Sequence, residues 1–426
     1  MNSDLNKSET TNKPTPDEEP HLLRAIGLPL LVLYGLGITI GAGIYVLIGS
    51  VASMAGEYAP ASFLFAALVM AFSAASFAEF SGRIPQSAGE AVYVDAAFGR
   101  NWLTIATGLF IVFSATIAGA AISIGCAGYI ATLIPLPLPL IAAVIVILMG
   151  LLAARGIKES VIFAGVLTVI EIFGLIIIIG SGYLHEPEIF SNIPAVIPPF
   201  GDGVALAGVF SASLIAFFAF IGFDDVVNLV EETHNPKRTM PWAILISLVA
   251  VTIIYFLVML VAVRAVPVDE LAASKAPIGL LFERLTGISP LGITLIAIVA
   301  TLNGVVIEII MASRVIYGLG KKGYLPGRLS RVNPKTQTPL NATILISLIM
   351  LAAAVVVPLD FLVSTTSQII LGVFTLVNIS LVVVKLRGDP VPEGIFTVPV
   401  IMPIIGAISC TFLLIGPLFI NSVSAQ

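Results

Sequence analysis

Long apolar runs, separated by short polar or Gly/Pro-rich breaks, set the rhythm of this chain. A helix needs about 20 apolar residues to cross roughly 30 Å of hydrocarbon. On that measure the pattern predicts eleven spans: 26–53, 61–81, 102–133, 138–154, 160–183, 205–231, 241–264, 290–319, 341–357, 361–385 and 399–421. Pro60, Pro241 and Pro339 suit first-turn positions, and Asp360 suits an N-cap. Residues 268–286, VDELAASKAPIGLLFERLT, are too charged to span and read as an amphipathic helix at the surface. Residues 1–24 are polar and Pro-rich and read as a disordered cytoplasmic tail without a cleavable signal. The remainder, 25–422, reads as one transmembrane domain.

Composition turns this pattern into a solvent argument. Of the 426 residues, 58% are hydrophobic and 11% charged, with a mean hydropathy of +1.08. A soluble domain carries about 25% charged residues, so most of this surface must face lipid. Lys and Arg fall almost wholly on one side if the N-terminus is inside; only Arg264, Lys275 and Arg284 fall outside. That bias predicts an integral protein of the plasma (inner) membrane with a cytoplasmic N-terminus and an extracytoplasmic C-terminus. Cys126 and Cys410 are far apart in apolar spans, and the three histidines lie in tail or loops. No P-loop, HExxH or Gly-x-Ser-x-Gly is present. The reading is therefore not an enzyme, with no cofactor, metal or nucleic-acid partner; the oligomeric state is open.

Two spans carry anomalies. Span 1 holds Gly35, Gly37, Gly41 and Gly43 near its middle, and span 6 holds FAFIGFDD at 218–225. The two are five spans apart. Because five is odd, a second set of five helices would enter from the opposite side, as in an inverted-repeat transporter. Repeats at about 26–183 and 205–385, with an extra helix at 399–421, follow from this. A break in span 1 would free backbone N–H groups for a carboxylate at Ile40, Gly41, Ala42 and Gly43. A break in span 6 would free carbonyls at Phe218 and Ile221 for an ammonium group. Alternatively, the glycines let neighbouring helices approach closely.

Buried charge supplies further candidates. Glu171 lies about 15 Å into span 5, near the midplane, where ionisable groups are expensive and usually functional. It reads either as the coupling group, with Ser313 and the carbonyls around Ile38 as neighbours, or as a protonated brace. Asp224 either gates or caps the inner half-helix. Glu308 either selects a cationic substrate or pairs with Asn303 or Asn378. Glu79 is placed to tie helix ends together with Arg83 one turn on.

The segments TIGAGIYVLIG (39–49), AEFSGRIPQSAGEAVYV (78–94), FFAFIGFDDVVNLVEETHNPKRTMPWAI (217–244) and LNGVVIEIIMASRVIYGLGKKGYLP (302–326) resemble the amino acid–polyamine–organocation permeases. The resemblance implies an all-α polytopic membrane protein with the five-plus-five, LeuT-like fold and discontinuous helices 1 and 6. It also implies secondary transport of amino acids, with Ile40, Gly41, Ala42 and Gly43 meeting the carboxylate, Phe218 and Ile221 the amine, and the Phe218 ring as a gate. The family usually has twelve spans; a twelfth is not expected here. Proton-coupled relatives often carry a lysine in a Val-Ile-Lys-Leu frame, its amine occupying the sodium place of sodium-coupled relatives; here the frame reads Val169-Ile170-Glu171-Ile172. The expected partners are thus an amino acid, a coupling proton (or sodium) and the lipid bilayer. An exchanger of cationic amino acids or polyamines, and a non-transporting sensor or scaffold, are the alternatives.

Overall fold

A computed structural model describes residues 26–424, apart from 87–88, 156–159, 192, 334–335 and 337; the side chains of Ala42, 160–164, Glu231, Glu232 and 417–424 also lie outside it. The tail at 1–24 therefore falls outside the described residues. Among those described there is no β-strand, only a lone bridge between Ile26 and Thr233.

Fourteen α-helices follow in chain order among the described residues. They are α1 (Leu28–Ala55), α2 (Ala59–Arg83), α3 (Gly89–Phe98), α4 (Asn101–Ala131), α5 (Leu138–Ala154), α6 (Ser160–His185), α7 (Gly203–Phe218), α8 (Pro236–Ala265), α9 (Val268–Ala273), α10 (Pro277–Thr286), α11 (Leu291–Lys321), α12 (Leu340–Val356), α13 (Leu359–Arg387) and α14 (Ile401–Ser424). Every predicted span overlaps one of them. Six helical stretches are long and apolar enough to cross a membrane by length and composition, and five shorter apolar helices accompany them. An all-helical, polytopic, integral membrane protein results, in which the helices satisfy most of their own backbone polar groups.

Local signals account for most helix ends. Asp202 caps α7 by accepting from the N–H groups of Val204 and Ala205 at 3.1 and 3.0 Å. Gly388, at φ 74°, closes α13 with the left-handed turn that glycine allows. Three expectations shift. α8 begins at Pro236, so Pro241 lies inside the helix rather than in its first turn. Asp360 is in the first turn of α13, whose N-cap is Pro358. The amphipathic surface helix at 268–286 is two helices, α9 and α10: Leu271, Ile278 and Leu281 are fully buried, while Asp269, Glu270, Lys275, Glu283 and Arg284 are exposed. Burial of those three leucine and isoleucine side chains against α1 and α11 outweighs the segment's charge, which stays on the solvent side.

Packing divides the helices into groups. α1, α2, α7 and α8 pack on one another; α4, α5, α11 and α12 form a second set. α6 lies between α1 and α11, while α13 packs on α3, α4 and α14. The candidate site sits where α1, α6, α7, α8 and α11 converge.

Candidate functional site

α7 stops at Phe218. The N–H groups of Ala219, Phe220 and Ile221 then donate to the carbonyls of Ala216, Phe217 and Phe218 at 3.0, 3.0 and 3.1 Å, turns three residues long that replace the α-helical ladder. Gly222 follows at φ 123°, a conformation that strains any side chain. A Cβ there would also lie 2.4 Å from Ile38 Cγ2 on α1. The Gly222 N–H donates to Asp224 Oδ1 at 2.9 Å, and a 3-10 helix runs on from Asp224 to Glu232. The interruption expected in span 6 is present. Its free acceptors differ from those expected: the Phe218 carbonyl is already bonded by Ile221, whereas the Ile221 carbonyl takes no intramolecular donor among the described residues. Phe218 itself is buried.

The break expected in span 1 is absent. α1 runs as one α-helix from Leu28 to Ala55, so the discontinuous helix 1 is corrected to a continuous one. Its glycines are explained by close approach. A Cβ on Gly37 would lie 2.0 Å from Thr168 Oγ1 of α6, and one on Gly43 would lie 2.3 Å from the Cα of Ala219. One on Gly41 would be 3.0 Å from the carbonyl oxygen of Ala300 on α11. Three different neighbours touch bare backbone within two turns, which the small-residue rule for membrane helices anticipates. Ile40 is fully buried at the same level; the Ala42 side chain is outside the described residues.

Three tyrosines that sequence reasoning passed over stitch this junction together. The Tyr255 hydroxyl, from α8, faces two carbonyls, Thr39 O at 2.6 Å on α1 and Ala219 O at 3.0 Å in the span 6 interruption. Tyr129 on α4 donates to the Tyr45 carbonyl, and the Tyr45 hydroxyl donates to the Glu171 carbonyl at 2.7 Å. All three side chains are fully buried. The signal was available: a tyrosine in an otherwise aliphatic span brings a hydroxyl that must find a partner.

Glu171 lies on α6 between these contacts with none of its surface exposed. Asn303 of α11 donates to its Oε1 at 3.3 Å, and Oε2 has no partner. Tyr45 and Tyr255 are within electrostatic reach of the carboxyl. Ser313, an expected neighbour, bonds the carbonyl of Ile310 in its own helix instead. It stands ten residues beyond Asn303, about 15 Å along the helix axis.

Glu308 does not pair with either expected asparagine. Asn303 is engaged by Glu171, and Asn378 bonds Ser76, Ser73 and the Phe374 carbonyl. Glu308 instead shares its surroundings with other acids: it lies in electrostatic reach of Asp224 and Asp225, and Glu90 reaches the same two. Asp224 accepts from the Gly222 N–H within the interruption, whereas the inner half-helix has Phe223 at its N-cap and no side-chain cap.

Glu79 meets Arg83 as expected, with Nε to Oε1 at 2.8 Å, and it does more. Lys385 Nζ on α13 reaches the same oxygen at 2.7 Å, and Oε2 accepts from the Val398 N–H at 2.7 Å. Cys126 and Cys410 are free and buried. Among the described residues no group of His, Cys, Asp and Glu could hold a metal ion.

Comparison with known proteins agrees with this architecture. The amino acid permease family model matches residues 26–426. The chain is 31% identical to the branched-chain amino acid permease BcaP of Bacillus subtilis, over 93% of this chain and 89% of that one. It is 30% identical to the methylthioribose transporter of the same organism, over 96% and 92%. It is 32% identical to cationic amino acid transporter 3, mitochondrial, of Arabidopsis thaliana, over 88% of this chain but 64% of that longer one. The chain belongs to the amino acid permease family, within the amino acid–polyamine–organocation superfamily. It is a membrane transporter and not an enzyme.

Proposed function

We propose that this permease moves amino acids across the plasma (inner) membrane by alternating access, coupled to protons. In this reading two inverted repeats, about 26–183 and 205–385, form a five-plus-five fold, with α14 added and the Lys/Arg-rich face in the cytoplasm. The amino acid lies between Ile40–Gly43 of α1 and the span 6 interruption at Phe218–Ile221. Its ammonium group meets the Ile221 carbonyl, the acceptor with no donor of its own. Its carboxylate meets the Gly43 N–H of α1, whose helical acceptor, the Thr39 carbonyl, already takes the Tyr255 hydroxyl from α8. That outside donor lowers the cost of exchanging a helix hydrogen bond for a bond to a ligand.

One observation carries the coupling: the Glu171 carboxyl is fully buried with Oε2 unpartnered. A carboxylate with a bare oxygen in hydrocarbon is costly, and taking up a proton relieves that cost. The position sits between α1 and α11, next to the backbone that the substrate would touch. The test is uptake into proteoliposomes under an imposed pH gradient, with and without sodium. Glu171→Gln should abolish the pH dependence and concentrative uptake while leaving counterflow measurable. Unchanged gradient-driven uptake in that variant defeats the proton reading; flux that needs sodium at every pH replaces it with a sodium one.

A second substrate reading rests on the acids around Glu308. Asp224 and Asp225, with Glu90 and Glu308 each in reach of both, favour a cationic side chain or a polyamine. Counterflow with lysine or putrescine against leucine separates the two readings.

A further inference from the structure

Outside the candidate site, a groove opens between α2 and α8 at the Lys/Arg-rich end of the molecule. Its volume is about 270 Å³. The α2 wall is Ala71, Ala74, Ala75 and Ala78, one helical face with no side chain longer than a methyl group. Opposite, α8 supplies Trp242, Leu245 and Leu248, and Phe396 from the segment before α14 closes the end. From Arg238 to Leu248 the helix rises about 15 Å, half the thickness of the hydrocarbon layer. The apolar lining runs about the depth of one leaflet.

Its mouth is chemically different. Lys237 and Arg238 line it, both exposed, in the first turn of α8. No carboxylate among the described residues forms an ion pair with either. The amino end of a 30-residue helix adds its own positive potential there. Among the described residues, Lys237 Nζ donates to a neutral group, the Glu393 carbonyl, at 3.1 Å. Trp242, one turn below the cations and 57% exposed, marks the level at which tryptophan anchors in a headgroup layer.

We propose that this groove binds one anionic phospholipid, with the phosphate at Lys237 and Arg238 and an acyl chain along the alanine face of α2. Charge complementarity selects the occupant: two cations at the mouth of a hydrocarbon slot on the cytoplasmic side match an anionic headgroup with its tail, and a zwitterionic lipid neutralises them poorly. The bound lipid would join α2 and α8 to the segment 393–396, where Lys237 already bonds the Glu393 carbonyl, and so stiffen the link between the α1–α2–α7–α8 group and α14. The proposal uses the membrane placement of the permease reading but not its substrate, and its test contains no substrate, so either can fail alone.

The experiment is native mass spectrometry and thermal unfolding of the purified full chain with phosphatidylglycerol or phosphatidylcholine of identical acyl chains. The unmodified protein should retain one phosphatidylglycerol with a preference of about ten-fold over phosphatidylcholine, and its Tm should rise on addition of that lipid. The double variant Lys237→Ala/Arg238→Ala should lose the preference, whereas Lys321→Ala/Lys322→Ala, removing cations on the same face away from the groove, should keep it. Ala75→Leu, which plugs the slot and spares the charges, should weaken retention of both lipids. Monodisperse elution and an unchanged Tm without lipid establish that each variant is folded. Equal retention of the two lipids by the unmodified protein overturns the proposal. So does a preference that survives loss of Lys237 and Arg238, or retention indifferent to the plug at Ala75.

Discussion

At the scale of single residues, the glycines of α1 behave as contact points, and each contact makes a separable prediction. At Gly37 the obstacle to a side chain is the Thr168 hydroxyl at 2.0 Å, with the Thr168 Cβ at 3.2 Å. Gly37→Ala should therefore destabilise by about 1–3 kcal/mol through overpacking, and Thr168→Ala in the same chain should recover most of that. At Gly43 the obstacle is the Ala219 backbone at 2.3 Å, which no side-chain truncation removes. Gly43→Ala should stay impaired in any Ala219→Gly background. Thermal unfolding of the two double variants checks the contrast; recovery at Gly43 or none at Gly37 contradicts it. Tyr255 allows a cleaner test. Its ring packs at 5.6 Å from Phe63 and 5.3 Å from Phe220, so Tyr255→Phe keeps the packing and removes only the donor to Thr39 and Ala219. The expected loss is about 1–2 kcal/mol in stability, with a larger proportional fall in transport, because both carbonyls belong to the proposed binding junction. A variant with native transport would make Tyr255 a packing residue alone.

At the scale of elements, legibility in the sequence followed the range of the interaction. Helix positions were readable because an apolar run of membrane length states its own conformation. The span 6 interruption was readable because Gly222 and Asp224, two residues apart, build it locally. The continuity of α1 was not. A glycine run fits either a break or a close approach, and what decides is Thr168, Ala219 and Ala300, which lie 131, 176 and 259 positions beyond Gly37, Gly43 and Gly41 respectively. The Asn303–Glu171 bond spans 132 positions and was equally hidden. The Glu79 node shows the same mixture. Its helical half, Arg83, was legible at a spacing of four; Lys385 and Val398 were not. Since Glu79 is fully buried between two cations, Glu79→Gln strands both and should cost about 3–5 kcal/mol. Lys385→Met leaves the Arg83 pair in place and should cost less. Equal Tm losses would show that Arg83 contributes nothing. Just past this node, Arg387 bonds Asp389 and the carbonyls of Ala96 and Ala97. The Arg387 side chain holds the Asp389 carboxyl below the ordinary carboxylate range. Whatever stability the pair adds is therefore present above the unfolded-state pKa of Asp389 and lost as pH falls through the lower folded value.

At the scale of the whole molecule, the helix groups assign different consequences to similar substitutions. Gly41 lies on α1, in the α1–α2–α7–α8 group, and its neighbour is the Ala300 carbonyl of α11, in the other group. Gly119 on α4 lies within the second group, where a Cβ would meet the methyl end of Met350 at 2.2 Å, a flexible chain that can swing aside. If transport proceeds by rocking one group against the other, a side chain at Gly41 obstructs a surface that must slide. One at Gly119 only crowds a surface that moves as a unit. Gly41→Val should then depress the counterflow rate far more than its change in Tm accounts for, whereas Gly119→Ala should shift Tm slightly and leave the rate near that of the unmodified protein. Rate and Tm falling in the same proportion at both positions would place the moving boundary elsewhere. The position of Glu171 bears on the same boundary, because its carboxyl on α6 accepts from Asn303 of α11 while its backbone carbonyl accepts from Tyr45 of α1. A proton arriving there changes the charge on a helix that packs against both α1 and α11. Combining Gly41→Val with Glu171→Gln should give a counterflow rate no lower than the slower single variant if both act on the same rocking step, and a multiplicative loss if they act on separate ones.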